Sequence, residues 1–78
     1  MHHVYLLLCS DGTYYTGCTN DLSERLKRHR KGENTYTAPR LPVELITYIT
    51  FTNKYMAYDF EKYLKSGSGK AFARKRLV

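Results

Sequence analysis

The side chains best suited to chemistry fall in three stretches of the chain. Tyr14 and Tyr15 sit between threonines in "GTYYTG", residues 12–17, with Tyr5 upstream in "HHVYLLLC". Arg25 and His29 lie four apart in "SERLKRHR", and Glu61 follows Phe60 in "YMAYDFEKYL". A guanidinium's planar fork can bond two phosphate oxygens. A phenol, with an ordinary pKa of about 10, is a poor base near neutrality unless cationic neighbours favour its phenolate. Each residue also has a plain structural reading. Strand tyrosines commonly pack with a wet hydroxyl, and an arginine on a charged helix is commonly solvated. His29 could end an apolar stripe. Glu61 could pair with Lys65 at i, i+4. Asp59, the rival carboxylate, points about 200° around the helix from Glu61.

The elements that must place these groups are short. Val4–Cys9 and Thr13–Thr19 read as strands, joined through "SDG". Successive strand side chains face opposite ways, so Tyr14 and Tyr15 cannot share a task. A two-residue turn at Asp11-Gly12 would put Tyr5 and Tyr15 on opposite faces. A three-residue loop with Gly12 left-handed puts Leu7 opposite Tyr15 and Tyr5 opposite Gly17, with both phenols on one face. The second register is favoured. Tyr14 then joins Val4, Leu6 and Leu8 on a packing face.

A helix follows, capped by Asp21 with Glu24 completing a capping box, striped by Leu22, Leu26 and His29, and stopped at Gly32. Pro39 and Pro42 make "ENTYTAPRLPVE" a loop. Val43–Phe51 reads as a third strand. Asn53 caps a second helix with Met56, Ala57, Phe60 and Leu64 on one side. "SGSG", residues 66–69, breaks it, and "KAFARKRLV" is a last short helix anchored by Ala71, Phe72 and Leu77. The fold class expected is α+β: a small three-stranded antiparallel sheet, elements in the order β-β-α-β-α-α, flanked by helices.

The chain has 78 residues, which leaves room for one domain spanning 1–78. It carries 13 Lys and Arg against 7 Asp and Glu, a formal charge of +6. That excess points to a polyanionic partner. The longest apolar run, Val4–Cys9, is too short to span a bilayer, and the first ten residues lack a signal peptide's pattern. A cytoplasmic location with no membrane partner is expected, with Cys9 and Cys18 as reduced thiols. Two thiols without neighbouring ligands do not close a zinc site.

The stretch "HVYLLLCSDGTYYTGCTNDLSERLKRH" resembles the start of the GIY-YIG nuclease domain. His3-Val4-Tyr5 stands where that family has Gly-Ile-Tyr, and Tyr15-Thr16-Gly17 where it has Tyr-Ile-Gly. Arg25 matches the family's helical arginine, His29 a histidine common in its small members, and Glu61 its helical glutamate. The resemblance covers nearly the whole chain and is similar to the small stand-alone bacterial branch and to the cleavage module of excision-repair nucleases. Only the tyrosine of the first triplet is kept. The family's asparagine beyond the glutamate falls near Ala73 here, which removes one substrate-contacting role.

The resemblance implies a metal-dependent endonuclease that hydrolyses DNA phosphodiesters with little sequence preference, in repair or recombination, and the sequence leaves DNA versus RNA open. It implies Tyr5 as base, Tyr15 orienting water or phosphate, Arg25 and His29 supplying charge, and Glu61 holding one Mg²⁺ or Mn²⁺. Lys27, Arg28, Arg30, Lys31, Arg40, Lys70, Arg74, Lys75 and Arg76 are expected to touch phosphates. Gly17 is expected to leave room beside Tyr5 for a phosphate. A monomer or transient dimer would serve. The alternative is a nucleic-acid-binding module of the same fold without turnover. A third is a basic structural protein of a ribonucleoprotein, with scattered charges and no cleft.

Overall fold

The computed structural model describes residues 1–78. Its elements are β1 (His2–Leu8), β2 (Tyr14–Thr19), α1 (Leu22–Arg30), a 3-10 turn (Ala38–Arg40), β3 (Glu44–Phe51), α2 (Lys54–Leu64) and α3 (Gly67–Arg76). The strands form one antiparallel sheet in the order β2-β1-β3, which is the expected α+β architecture. The hairpin loop has three residues. Cys9 N–H bonds the Thr13 carbonyl at 2.8 Å, and Gly12 takes the left-handed φ of +84° that a side chain disfavours. Leu7 therefore pairs with Tyr15 and Tyr5 with Gly17.

β1 is the central strand, so its apolar run is covered on both faces. Val4 and Leu6 pack against Ala57 and Leu64 of α2 and Ala73 of α3. Tyr5 and Leu7 pack against Leu26 of α1, with Leu22, Val43 and Leu45 around them. The sheet thus lies between α1 on one side and the α2–α3 pair on the other. The two cysteines are free. By strand parity Cys9 shares the Tyr5 face, whereas Cys18 pairs with Val4 and packs on the other face.

Local signals set the helix ends. Asp21 accepts from the Glu24 N–H at 3.1 Å, but the N–H of Asp21 itself goes to the Thr19 hydroxyl at 3.0 Å. The expected capping box is therefore half formed, and Glu24 pairs instead with Arg28 at 3.5 Å. Asn53 accepts from the N–H groups of Tyr55 and Met56. "SGSG" is not a spacer. Ser66 caps α3 by accepting from Gly69 N–H, and the glycines form its first turn.

Several expected core positions are corrected by the packing. Met56 is exposed, because the inner face of α2 is centred on Ala57 and Leu64. Ala71 and Phe72 are exposed, while Ala73 is buried. Tyr14 lies on the expected side of the sheet but is 45% exposed, because β2 is an edge strand and its start extends past the helical cover.

Candidate nuclease site

Tyr5, Tyr15, Arg25 and His29 come together between the sheet and α1. Register places the two phenols on one face, and the last turn of α1 carries His29 above them. The rings of Tyr5, Tyr15 and His29 pack on one another, with centroids 6.3, 5.7 and 5.1 Å apart. His29 is fully buried with both ring nitrogens bonded. Nε2 meets the Tyr5 hydroxyl at 2.9 Å and Nδ1 meets the Thr37 hydroxyl at 2.8 Å.

The Arg25 charge also acts on the Tyr5 hydroxyl. The tautomer of His29 sets the direction of both bonds. With the imidazole proton on Nδ1, that nitrogen donates to Thr37 and Nε2 is free to accept from Tyr5. Burial keeps His29 below its ordinary pKa, and the Arg25 charge adds to that. The ring is thus held neutral, in the form that accepts a proton.

Tyr5 departs from expectation. Burial, followed by the neighbouring Tyr15, pushes its pKa up to about 12, with Glu61 adding to the rise. The Arg25 guanidinium pulls the other way, but burial outweighs it. Tyr5 is fully enclosed, and Tyr15 is the half-buried phenol of the pair. The room at Gly17 is also not a phosphate's. A Cβ there would drive into the Tyr5 ring and hydroxyl, so the missing side chain accommodates the phenol itself.

Glu61 belongs to the inner face of α2, one turn beyond Ala57 and three residues before Leu64, whereas Asp59 is exposed. Its side chain is 24% exposed and bonds Lys65 at 3.1 Å, the i, i+4 pair that its structural reading anticipates. Its charge also acts on the cluster, raising the Cys18 thiol behind the larger effect of burial, and raising Tyr5. No three His, Cys, Asp or Glu side chains converge to hold a metal. A single carboxylate does not make a closed zinc site. It suits magnesium, which keeps most of its waters and takes one or two carboxylates plus substrate oxygens.

Residues 34–37, expected only as loop, complete the site. The Asn34 side chain accepts from the N–H groups of Tyr36 and Thr37, folding the loop back, and its amide donates to the Tyr15 hydroxyl at 3.2 Å. Thr37 is fully buried against His29. Asparagine's habit of bonding backbone two or three residues ahead was the available signal for this turn. A polar cleft of about 150 Å³ opens beside it, lined by Arg25, Arg28, His29, Glu33 and Asn34.

The basic residues are divided by the sheet. Lys27, Arg28, Arg30 and Lys31 are exposed on α1, on the side of the cleft. Lys70, Arg74, Lys75 and Arg76 are exposed on α3, in the opposite layer. Arg40 is committed elsewhere. Its Nε bonds Asp11 at 3.0 Å, its Nη1 donates to the Tyr36 carbonyl at 2.6 Å, and its guanidinium lies 3.9 Å above the Tyr36 ring. That guanidinium ties the loop to the hairpin, so a phosphate at Arg40 would compete with Asp11.

The family described as the GIY-YIG catalytic domain matches residues 1–76. A UPF0213 protein of Halobacterium salinarum is 46% identical over 66 residues, which cover 83% of this chain and 86% of that protein. A UPF0213 protein of Clostridium perfringens is 44% identical over 66 residues, covering 83% and 71%. The solution NMR structure of a UPF0213 protein from Bacillus halodurans matches with a TM-score of 0.61 at 36% identity, covering 95% of this chain and 82% of that one.

Proposed function

Because the chain belongs to the GIY-YIG catalytic-domain family, we propose that it is an endonuclease hydrolysing DNA phosphodiesters with little sequence preference. The observation that carries this reading is the buried line from Tyr5 through His29 to Thr37, whose His29 shares a cleft with Arg25 and Arg28. A phenol with a pKa near 12 does not work as a free phenolate. It can take a proton from water only as it passes its own to His29. The water O–H bond breaks, the Tyr5 oxygen gains that proton, and the Tyr5 proton moves to Nε2. His29 is the net base, and the imidazolium formed keeps its Nδ1–H on Thr37. Tyr15, half-buried with Asn34 on its hydroxyl, orients the attacking water. Arg25 holds the phosphate and stabilises its developing charge.

A divalent cation, Mg²⁺ or Mn²⁺, would supply charge at the phosphate and leaving oxygen when bound, with Glu61 as its protein ligand. Lys27, Arg28, Arg30 and Lys31 add sequence-independent attraction to the backbone. A place in repair or recombination, and action as a monomer or transient dimer, are part of the same reading.

The competing reading is a binding module without turnover. It draws on the enclosure of Tyr5 and on Ala73, which brings no polar group where the family has asparagine. Time courses on branched, nicked and plain DNA, with Mg²⁺ or Mn²⁺ and with chelator, separate the two. Metal-dependent cleavage is expected, lowered about 10²–10⁴-fold in Tyr5→Phe and His29→Ala, the usual weight of general-base catalysis. Wild-type rates in Tyr5→Phe and Glu61→Gln would overturn the mechanism. Salt-sensitive binding without cleavage under either metal would favour the module.

A further inference from the structure

The largest cavity is not the arginine cleft. A groove of about 450 Å³ lies on the other side of the sheet, between the hairpin and α3. Its floor is Leu6, Thr16 and Ala73, and one wall is the exposed ring of Tyr14. Lys70 and Arg74, one turn apart on α3, stand over it. Neither is in an ion pair, and no acidic residue lines the groove. The nearest acid in sequence, Asp11, is neutralised by Arg40.

The groove is physically continuous with the candidate site. Tyr36 lines it, bonds Thr13 of the same lining through its hydroxyl, and packs its ring 5.7 Å from Tyr15. One aromatic residue therefore borders both places. A tyrosine face beside two free cations, over a floor without base-reading groups, has the chemistry of sequence-independent binding to unpaired strands. Its volume is that of a small-molecule site, far below what a duplex would occupy.

We propose that this groove holds a single-stranded nucleic-acid segment adjoining the bond to be cut, with a base on Tyr14 and its phosphates on Lys70 and Arg74. The proposal rests on the nuclease reading for its direction, since it makes the substrate a strand that is unpaired next to the scissile phosphate. It gives Tyr14 a binding surface in place of the packing role its alternation implies.

The test uses a fluorescein-labelled eight-nucleotide oligo-dT and the whole chain. By anisotropy, Tyr14→Ala should weaken binding about tenfold. The Lys70→Gln/Arg74→Gln double variant should flatten the slope of log K against log salt by about 1.4, two contacts at roughly 0.7 each. Tyr14→Ala should leave duplex binding unchanged. In the wild type, the oligonucleotide should shift the amide NMR signals of Tyr14, Thr16 and Ala73, a readout that needs no variant to fold. Shifts confined to Arg25, Arg28 and Asn34 would overturn the groove while leaving the nuclease reading intact. Shifts in the groove from a protein that cuts no DNA would uphold the groove and defeat that reading. Equal weakening of duplex and single-strand binding in Tyr14→Ala would also overturn it.

Discussion

His29 is the pivot of the buried polar line, with one ring nitrogen on Tyr5 and the other on Thr37. Burial disfavours its imidazolium and Arg25 repels it, so folding lowers its pKa from the ordinary 6.5. The unfolded chain still binds a proton near pH 6.5, and below that pH it holds more protons than the folded state. Stability is therefore expected to fall as pH drops from about 6.5 through the lowered folded pKa. Thermal melts between pH 8 and 5 should show this decline, and His29→Gln should flatten it. An unchanged slope in that variant would mean the ring titrates as it does in the unfolded chain. His29 was recognisable as the end of an apolar stripe and as a match to the family's pattern. Thr37 and Asn34 were not, because their roles depend on a loop folding back over α1.

At the scale of elements, the α2–α3 junction depends on how closely two backbones approach. A Cβ at Gly69 would run into the Tyr63 carbonyl, whereas one at Gly67 would meet open space. Both glycines lie in the first turn of α3. Gly67→Ala should stabilise by a few tenths to about 1 kcal/mol, by restricting the unfolded chain. Gly69→Ala should cost about 1–3 kcal/mol despite alanine's helix propensity, because the clash is with backbone. Paired chemical denaturation measures both, and equal effects of one sign would contradict the close approach. The sequence marks "SGSG" as a break, and α2 does end there. It does not say that the break is itself the next helix's cap and first turn. Serine and glycine serve either purpose until Ser66 has an N–H to accept from.

For the molecule as a whole, the +6 charge is spread over two surfaces by the sheet. Arg25 and Arg28 of α1 line the arginine cleft, and Lys70 and Arg74 of α3 line the groove. Exposed phosphate contacts release counterions, so duplex affinity should fall steeply with salt. The Lys27→Gln/Arg30→Gln double variant should lower the slope of log K against log salt by about 1.8, two contacts at roughly 0.9 each. Anisotropy titrations across salt concentrations check this. A wild-type slope would place the duplex elsewhere. No helix is long and apolar enough to cross a membrane.

Sequence alone determined the strands and the caps at Asp21 and Asn53, favoured the three-residue loop over the two-residue turn, and spaced Tyr5, Tyr15, Arg25, His29 and Glu61 in the order the resemblance requires. These follow from rules acting over a few residues, such as alternation, capping and glycine's left-handed φ, or from spacing along the chain. Tertiary structure decided that Tyr5 is enclosed over Gly17, that Arg40 is spent on Asp11, and that the basic residues face two ways. Those outcomes turn on desolvation and pairing between groups 24 or 29 residues apart. Local pattern does not encode which distant partner arrives, and arrival sets the charge and exposure of each group.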